Sequence, residues 1–210
     1  MAIVEVTEHI PEKSLRTLHR VRLTTHREPR MVAETQTGSV RDFPAYLHFT
    51  PRPDQPDKFD EQTAFYESQS DGVAWLIGGN GSGTTTTLLA KVARFIYETP
   101  PPRRDTPFWV IAKSYDQVTK TCWKEKLYGQ GHILDRDVDW DRVGWYKSKQ
   151  RLPYSVPLKG DHKGNNWMLE FRSYEQGIGA MMAQAIGGFA FVEQFPWGVF
   201  EEVLRGCREY

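Results

Sequence analysis

The sequence predicts an α/β fold with a mostly parallel central sheet, because short apolar runs alternate with segments of helical periodicity. Continuous apolar runs of this length are typical of strands that are covered on both faces. The four runs are VAWLI at 73–77, FWVIA at 108–112, WMLEF at 167–171 and GFAFV at 188–192. Between the first two, the apolar residues from Leu88 to Ile96 recur at steps of three and four, as on one helix face. We therefore expect three layers, with right-handed crossovers placing helices on the faces of the sheet.

The segment before the first strand divides into three parts. Residues 1–50 are polar and rich in arginine and histidine, so we expect a solvated N-terminal arm with one helix around residues 11–23. Three prolines in residues 50–58 indicate a linker, and residues 58–68 predict a short helix. The main domain is therefore expected to span residues 51–210.

Three further signals follow the second apolar run. Ser114, with Gln117 three positions later, has the spacing of a capping box and predicts the start of a helix. Residues 140–163 mix aromatic, basic and turn residues, which predicts a small β-hairpin insertion. Pro196 suits the first position of a final helix.

Composition limits the partners and the compartment. The chain has 27 basic and 27 acidic residues, which argues against a nonspecific nucleic-acid coat. Basic residues do alternate with aromatic ones at 120–126 and 146–151, although solvated faces explain such runs more often. The two cysteines, Cys122 and Cys207, show no metal-ligand spacing, so a reducing cytoplasm is expected. No apolar run approaches the roughly 20 residues of a membrane span, and no secretory signal is visible at the N-terminus, so no membrane contact is expected.

The segment GGNGSGTTTT, residues 78–87, has the layout of a phosphate-binding loop between a strand and a helix. In such a loop, glycines let backbone N–H groups at a helix N-terminus surround phosphate oxygens. The pattern G-x-x-x-x-G-K-[ST] aligns with threonine in place of its lysine, and Thr85 falls where a hydroxyl binds Mg²⁺. The predicted nucleotide-binding residues of the loop are Gly78, Gly79, Asn80, Gly81, Ser82, Gly83, Thr84 and Thr85. A glycine turn with a purely structural role is the alternative.

The missing lysine weakens the predicted catalytic site, because that ammonium normally offsets phosphate charge in the transition state. Lys113 and Arg172, each at the end of a predicted strand, are candidate replacements. Lys91 lies about two turns along the helix after the loop and is expected to point away from it.

Four stretches together resemble the ATPase domain of large terminase subunits, the DNA-packaging motors of tailed bacteriophages and their prophage relatives. They are DEQTAFYES at 60–68, GGNGSGTT at 78–85, LEFRSYEQGIGAMMAQAIGG at 169–188 and FAFVEQFPWGVFEEVLRGC at 189–207. The resemblance covers roughly residues 57–208. It implies a P-loop NTPase fold that uses ATP and Mg²⁺ to move double-stranded DNA. It further implies a homo-oligomeric ring in the bacterial host cytoplasm, with the small terminase subunit and the portal protein as partners.

The resemblance also implies roles for single residues. Gln62 would read the adenine edge of the nucleotide. The family usually has an Asp-Glu pair at the end of the strand near 189–194, whereas this chain has Val192 and Glu193 there. Glu193 is then either the catalytic base or, one position out of register, a metal ligand with Gln194 orienting the attacking water. Glu193 could instead cap the helix that begins near Pro196.

Two departures from the family pattern, Thr84 and Val192, leave other functions open. One is a nucleotide-binding or assembly module that does not hydrolyse ATP. Another is a helicase-like ATPase that acts on single strands. The family's C-terminal nuclease domain is expected to be absent, because no carboxylate cluster suited to it is found within residues 1–210, and DNA cleavage is therefore not expected.

Overall fold

The computed structural model describes residues 2–6, 44–49, 60–68, 73–77, 82–146, 152–160, 164–181 and 184–207. The strands are β1 (Ala2–Val6), β2 (Val73–Ile77), β3 (Thr106–Ala112), β4 (Gly144–Trp145), β5 (Pro153–Pro157), β6 (Trp167–Ser173) and β7 (Gly188–Phe191). The helices are α1 (Asp60–Glu67), α2 (Thr84–Glu98), a π-helix (Gln117–Leu127) and α3 (Trp197–Gly206). Short 3-10 turns cover Ala45–His48, Asp135–Asp137, Trp140–Arg142, Tyr174–Gln176 and Ile178–Met181.

The sheet has the strand order β2-β1-β7-β3-β6-β5-β4. The first five strands in this order pair in parallel, whereas β5 and β4 pair antiparallel. The predicted mixed α/β fold with a mostly parallel sheet is therefore confirmed, and a hairpin lies in the segment where an insertion was expected.

The N-terminal segment differs from the solvated arm that the composition suggested. Residues 2–6 form β1, which lies in the sheet between β2 and β7. The sequence AIVEV supplies the β-branched residues Ile3, Val4 and Val6, which strands favour. Further along, Tyr46 is buried and its ring stacks on Tyr97 of α2, with ring centroids 5.2 Å apart. The helix expected around residues 11–23 and the linker expected at 50–58 lie outside the described residues.

The sheet separates two hydrophobic clusters, because successive strand residues point to opposite faces. On one face, Phe108 and Val110 of β3 pack in a cluster with the apolar side of α2 and the π-helix. On the other, Trp109 and Ile111 of the same strand pack with α3. We call the first of these two faces the π-helix face. Among the described residues, no helix combines the length and the apolar character needed to cross a bilayer.

Candidate functional site

Of the predicted glycine loop, residues 78–85, the structure describes residues 82–85, where the chain enters α2. β2 ends at Ile77 and α2 begins at Thr84, which is 5% exposed. Gly83 takes a left-handed conformation, with φ 87° and ψ 7°, directly before the helix, and side chains with a β-carbon rarely adopt that conformation. Residues Gly78, Gly79, Asn80 and Gly81 lie outside the described part of the chain.

Gln62 on α1 binds the junction of β2 and α2 through its buried side-chain amide. Its side chain is 5% exposed, and its Nε2 donates a hydrogen bond to the backbone oxygen of Ser82 at 2.9 Å. Its Oε1 accepts a hydrogen bond from Oγ1 of Thr87 at 3.0 Å. Gln62 therefore lies beside the β2–α2 junction, and its amide is hydrogen-bonded to Ser82 and to α2.

Lys91 cannot replace the missing lysine of the loop. Its Nζ is 2.6 Å from the backbone oxygen of Phe65, 3.2 Å from that of Tyr66 and 2.5 Å from that of Ser68. These carbonyls lie at and just beyond the C-terminal end of α1, where a cation is favoured by the helix dipole. Burial lowers the pKa of Lys91 to about 8. Its side chain thus joins α1 to α2 and points away from the loop, as the sequence suggested.

Arg172 does not reach the loop either, in contrast to its predicted role as a replacement cation. It follows Glu170 at the two-residue spacing that places both side chains on the same face of β6. Its Nη2 lies 2.5 Å from Oε2 of Glu170 and 2.9 Å from Oε1 of Gln184, and its guanidinium lies over the ring of Trp109. Trp109 packs with α3, so Arg172 is held on the opposite face of the sheet from α2.

Glu193 is a carboxylate at the carboxyl edge of the sheet, just after β7. Its Oε1 accepts a hydrogen bond from Nε2 of Gln117, at the start of the π-helix. Val192, by contrast, is 2% exposed within the core on the π-helix face, so it offers no polar group to a ligand. The alternative in which Glu193 caps α3 is not what forms, because Pro196 is the N-cap and no side-chain cap hydrogen bond is present. Gln194 is exposed beside Glu193, and its backbone oxygen accepts a hydrogen bond from the hydroxyl of Tyr174 at 2.8 Å.

Polar contacts join the strand ends at this edge. The Oγ of Ser173, at the end of β6, donates to the backbone oxygen of Lys113, after β3, at 2.5 Å. The backbone N–H of Val192 donates to the backbone oxygen of Ile111 at 2.9 Å. The ends of β3, β6 and β7 are therefore fixed relative to one another, and the Lys113 side chain is exposed beside them. The strands β2 and β7 lie about two strand spacings apart, or roughly 10 Å, because only β1 separates them.

The sequence analysis did not predict the contacts of two residues at the site, Thr87 and Gln117. Thr87 lies four positions after Gly83, and its hydroxyl also lies 3.2 Å from the Gly83 backbone oxygen. Gln117 was expected to complete a capping box, and its backbone N–H does donate to Oγ of Ser114 at 3.3 Å. Its side chain instead contacts Glu193, a pairing 76 residues apart in sequence.

The site has few metal ligands of its own. Within the described parts of the chain, no group of three or more histidine, cysteine, aspartate or glutamate side chains is placed to hold a metal ion. The chain matches no protein-family model, no curated protein and no solved structure.

Proposed function

We infer that this chain is a P-loop ATPase domain of the large-terminase type, which couples binding and hydrolysis of Mg²⁺-ATP to movement of double-stranded DNA. The observation that carries the proposal is the junction of β2 and α2. A glycine-rich segment follows a parallel strand, Gly83 adopts a left-handed conformation, and a 15-residue helix begins at the next residue. That arrangement turns the first backbone N–H groups of α2 toward the segment, where they favour a phosphate group.

The proposal gives the remaining site residues distinct roles. Thr85 supplies a hydroxyl and Glu193 a carboxylate to Mg²⁺, which usually binds one or two protein groups together with substrate phosphates and water. In the other register, Glu193 activates the attacking water with Gln194 beside it. Gln62 holds the loop on α2 through Ser82 and Thr87, so its main role is positioning the loop rather than reading the base.

Two observations favour a second candidate function, a nucleotide-binding module with little or no hydrolysis. Among the candidate cations, Lys91 is hydrogen-bonded to backbone oxygens at the end of α1, and Arg172 forms an ion pair with Glu170. Val192 occupies the core where the family usually has a metal-side aspartate. Of the three candidate cations named from the sequence, Lys113 remains, and its side chain is exposed at the carboxyl edge of the sheet. In the ring implied by the resemblance, a neighbouring subunit is another source of positive charge.

Replacing Glu193 with glutamine should separate hydrolysis from binding. The amide keeps the shape of the side chain but cannot accept a proton, so we expect phosphate release to fall by about 100-fold or more. Affinity for Mg²⁺-ATP should change only a few-fold if Glu193 activates the attacking water, and should fall further if Glu193 binds Mg²⁺. Single-turnover release of labelled phosphate, with the protein in excess and with double- or single-stranded DNA added, measures the first quantity. Calorimetry measures the second.

Glu175→Gln is the matched control, because Glu175 is an exposed carboxylate at the same edge of the sheet, just after β6. It should leave both quantities unchanged. Binding without any phosphate release in the unmodified chain would favour the second candidate. Faster release with single strands than with duplex DNA would favour a helicase-like ATPase. If Glu193→Gln released phosphate as fast as the unmodified chain, the proposed role of Glu193 would be wrong.

A further inference from the structure

The carboxylate of Glu193 is bound from the side of β7 that lies away from the glycine loop. The loop follows β2, and the strand order β2-β1-β7-β3 places β2 and β3 on opposite sides of β7. Oε1 of Glu193 accepts its hydrogen bond from Nε2 of Gln117, in the segment that follows β3. Among the described residues, no second hydrogen bond to this carboxylate is found. The contact therefore draws the side chain toward β3 rather than toward β2.

The backbone around Gln117 is held by the fold, so its amide has a defined position. The backbone N–H groups of Gln117 and Val118 donate to Oγ and to the backbone oxygen of Ser114, at 3.3 Å and 3.2 Å. The Val118 side chain is completely buried in the core of the π-helix face. The π-helix that begins at Gln117 packs on β3 and β6, beside α2. A change in the contact with Glu193 therefore requires movement of the two side chains only.

The contact between Gln117 and Glu193 is of a kind that a ligand can break. Its donor is a neutral amide, whereas Arg172 holds Glu170 through an ion pair at 2.5 Å. Both Gln117 and Glu193 are half-buried, so water can replace the hydrogen bond when the two side chains separate. A carboxylate is also a preferred ligand of Mg²⁺, which offers it a stronger partner than an amide.

Either role proposed for Glu193 requires its carboxylate at the loop. A metal ligand must touch the Mg²⁺ that accompanies the phosphates. A general base must come within hydrogen-bond reach of the attacking water. In the proposed function, both lie at the start of α2, on the β2 side of β7. A carboxylate that is bound to Gln117 is therefore placed for neither role.

We propose that the hydrogen bond from Gln117 to Glu193 is a resting contact, which restrains hydrolysis until Mg²⁺-ATP draws the carboxylate toward the loop. This inference rests on the proposed function and concerns the regulation of the same site. Gln117 is then a positioning residue that acts through Glu193. The observed rate is reduced to the fraction of molecules in which Glu193 is free, so weakening the contact should raise the rate.

Single-turnover release of labelled phosphate, with the full chain in excess over ATP, tests the inference. Gln117→Leu removes the donor but keeps a side chain of similar size, so release should be about tenfold faster. Gln117→Glu keeps the length of the side chain and replaces the donor with a second carboxylate. It should also be faster, because the two like charges repel each other. A contact that only supported the fold would give slower release in both variants.

Two further variants show whether the acceleration acts through the carboxylate. Gln130→Leu is the matched control, because Gln130 is an exposed glutamine just after the same π-helix. It should release phosphate as the unmodified chain does. Gln117→Leu combined with Glu193→Gln should release phosphate as slowly as Glu193→Gln alone, since the two side chains act as one unit.

Calorimetric titration of Mg²⁺-ATP into the same proteins separates a failure of this inference from a failure of the proposed function. If the unmodified chain and Gln117→Leu both bind but release phosphate at equal rates, or not at all, the resting contact is wrong and nucleotide binding stands. If neither binds, the proposed function is wrong and the resting contact falls with it. The inference is also overturned if the acceleration persists in the combined variant, or if Gln130→Leu is accelerated as much.

Discussion

Replacing Glu170 with alanine should lower the free energy of unfolding by about 3–5 kcal/mol, since it leaves a partly buried charge without its partner. Glu170 is 7% exposed, and its Oε2 accepts hydrogen bonds from Nε1 of Trp109 at 2.9 Å and from Nη2 of Arg172 at 2.5 Å. Its Oε1 lies 3.4 Å from Nε2 of Gln184. Without the carboxylate, the indole N–H of Trp109 loses its acceptor, and the guanidinium of Arg172 keeps only the side-chain oxygen of Gln184. Urea unfolding followed by circular dichroism measures the change.

Glu98→Ala is the control for this experiment. Glu98 also pairs with an arginine, Arg94, at 3.0 Å, but the Glu98 side chain is 48% exposed, whereas that of Glu170 is 10% exposed. Its removal should change the free energy of unfolding by no more than about 0.5 kcal/mol. A loss below about 1 kcal/mol for Glu170→Ala would show that the buried pair contributes little, contrary to its geometry.

The second large effect is a loss of folding stability at acid pH, which we attribute to His132. The side chain is 2% exposed, and neither ring nitrogen has a hydrogen-bond partner among the described residues. The ring packs edge-on against Phe49, with centroids 5.7 Å apart. Burial, with a smaller contribution from the charge of Lys126, lowers the pKa of His132 from 6.5 to about 4.

The direction of this pH dependence follows from proton binding by the native and the unfolded chain. Between pH 6.5 and pH 4, the unfolded chain binds a proton at His132 that the native chain does not bind. The free energy of unfolding therefore falls as pH falls through this range, by about 3 kcal/mol in total. The stabilising contribution of the neutral ring is complete above pH 6.5.

His132→Phe should remove this dependence, because phenylalanine keeps a ring against Phe49 but does not titrate. The measurement is the difference in free energy of unfolding between the unmodified chain and the variant, at pH 7.5 and again at pH 4.5. We expect the variant to gain stability relative to the unmodified chain at the lower pH. Carboxylates affect both proteins equally and cancel in the difference. An unchanged difference between the two pH values would mean that His132 is protonated without cost in the native state.

Local patterns predicted the strands and helices well because their apolar residues follow the strand and helix periods. The runs that became β2, β3, β6 and β7 are continuous and apolar, and the helix after the glycine loop has one apolar face. β1 was not expected, because its residues precede a long polar segment. Its partners in β2 and β7 are about 70 and 190 residues away in the chain, and local periodicity carries no information on such pairings.

The candidate site was less predictable, because its contacts join residues that are distant in sequence. Arg172 was expected to face the loop, but it pairs with Glu170. The two residues are two positions apart on one strand, so the sequence already placed their side chains on the same face. The contact between Gln117 and Glu193 depends on which strands are neighbours in the sheet, so no local pattern could indicate it. The same is true of Gln62, whose amide binds Ser82 and Thr87 rather than facing open space.

The central claim is that the segment between β2 and α2 binds the phosphates of a nucleotide. The most direct test is calorimetric titration of Mg²⁺-ATP into the unmodified chain, Thr84→Lys and Thr86→Lys. We expect the unmodified chain to bind, and Thr84→Lys to bind at least tenfold more tightly through a charge-assisted contact worth about 1.5–3 kcal/mol. Thr86→Lys adds the same charge about 200° around the helix, so it should not strengthen binding. If neither the unmodified chain nor Thr84→Lys binds nucleotide while both remain folded, the segment is a structural turn and the proposed function is wrong.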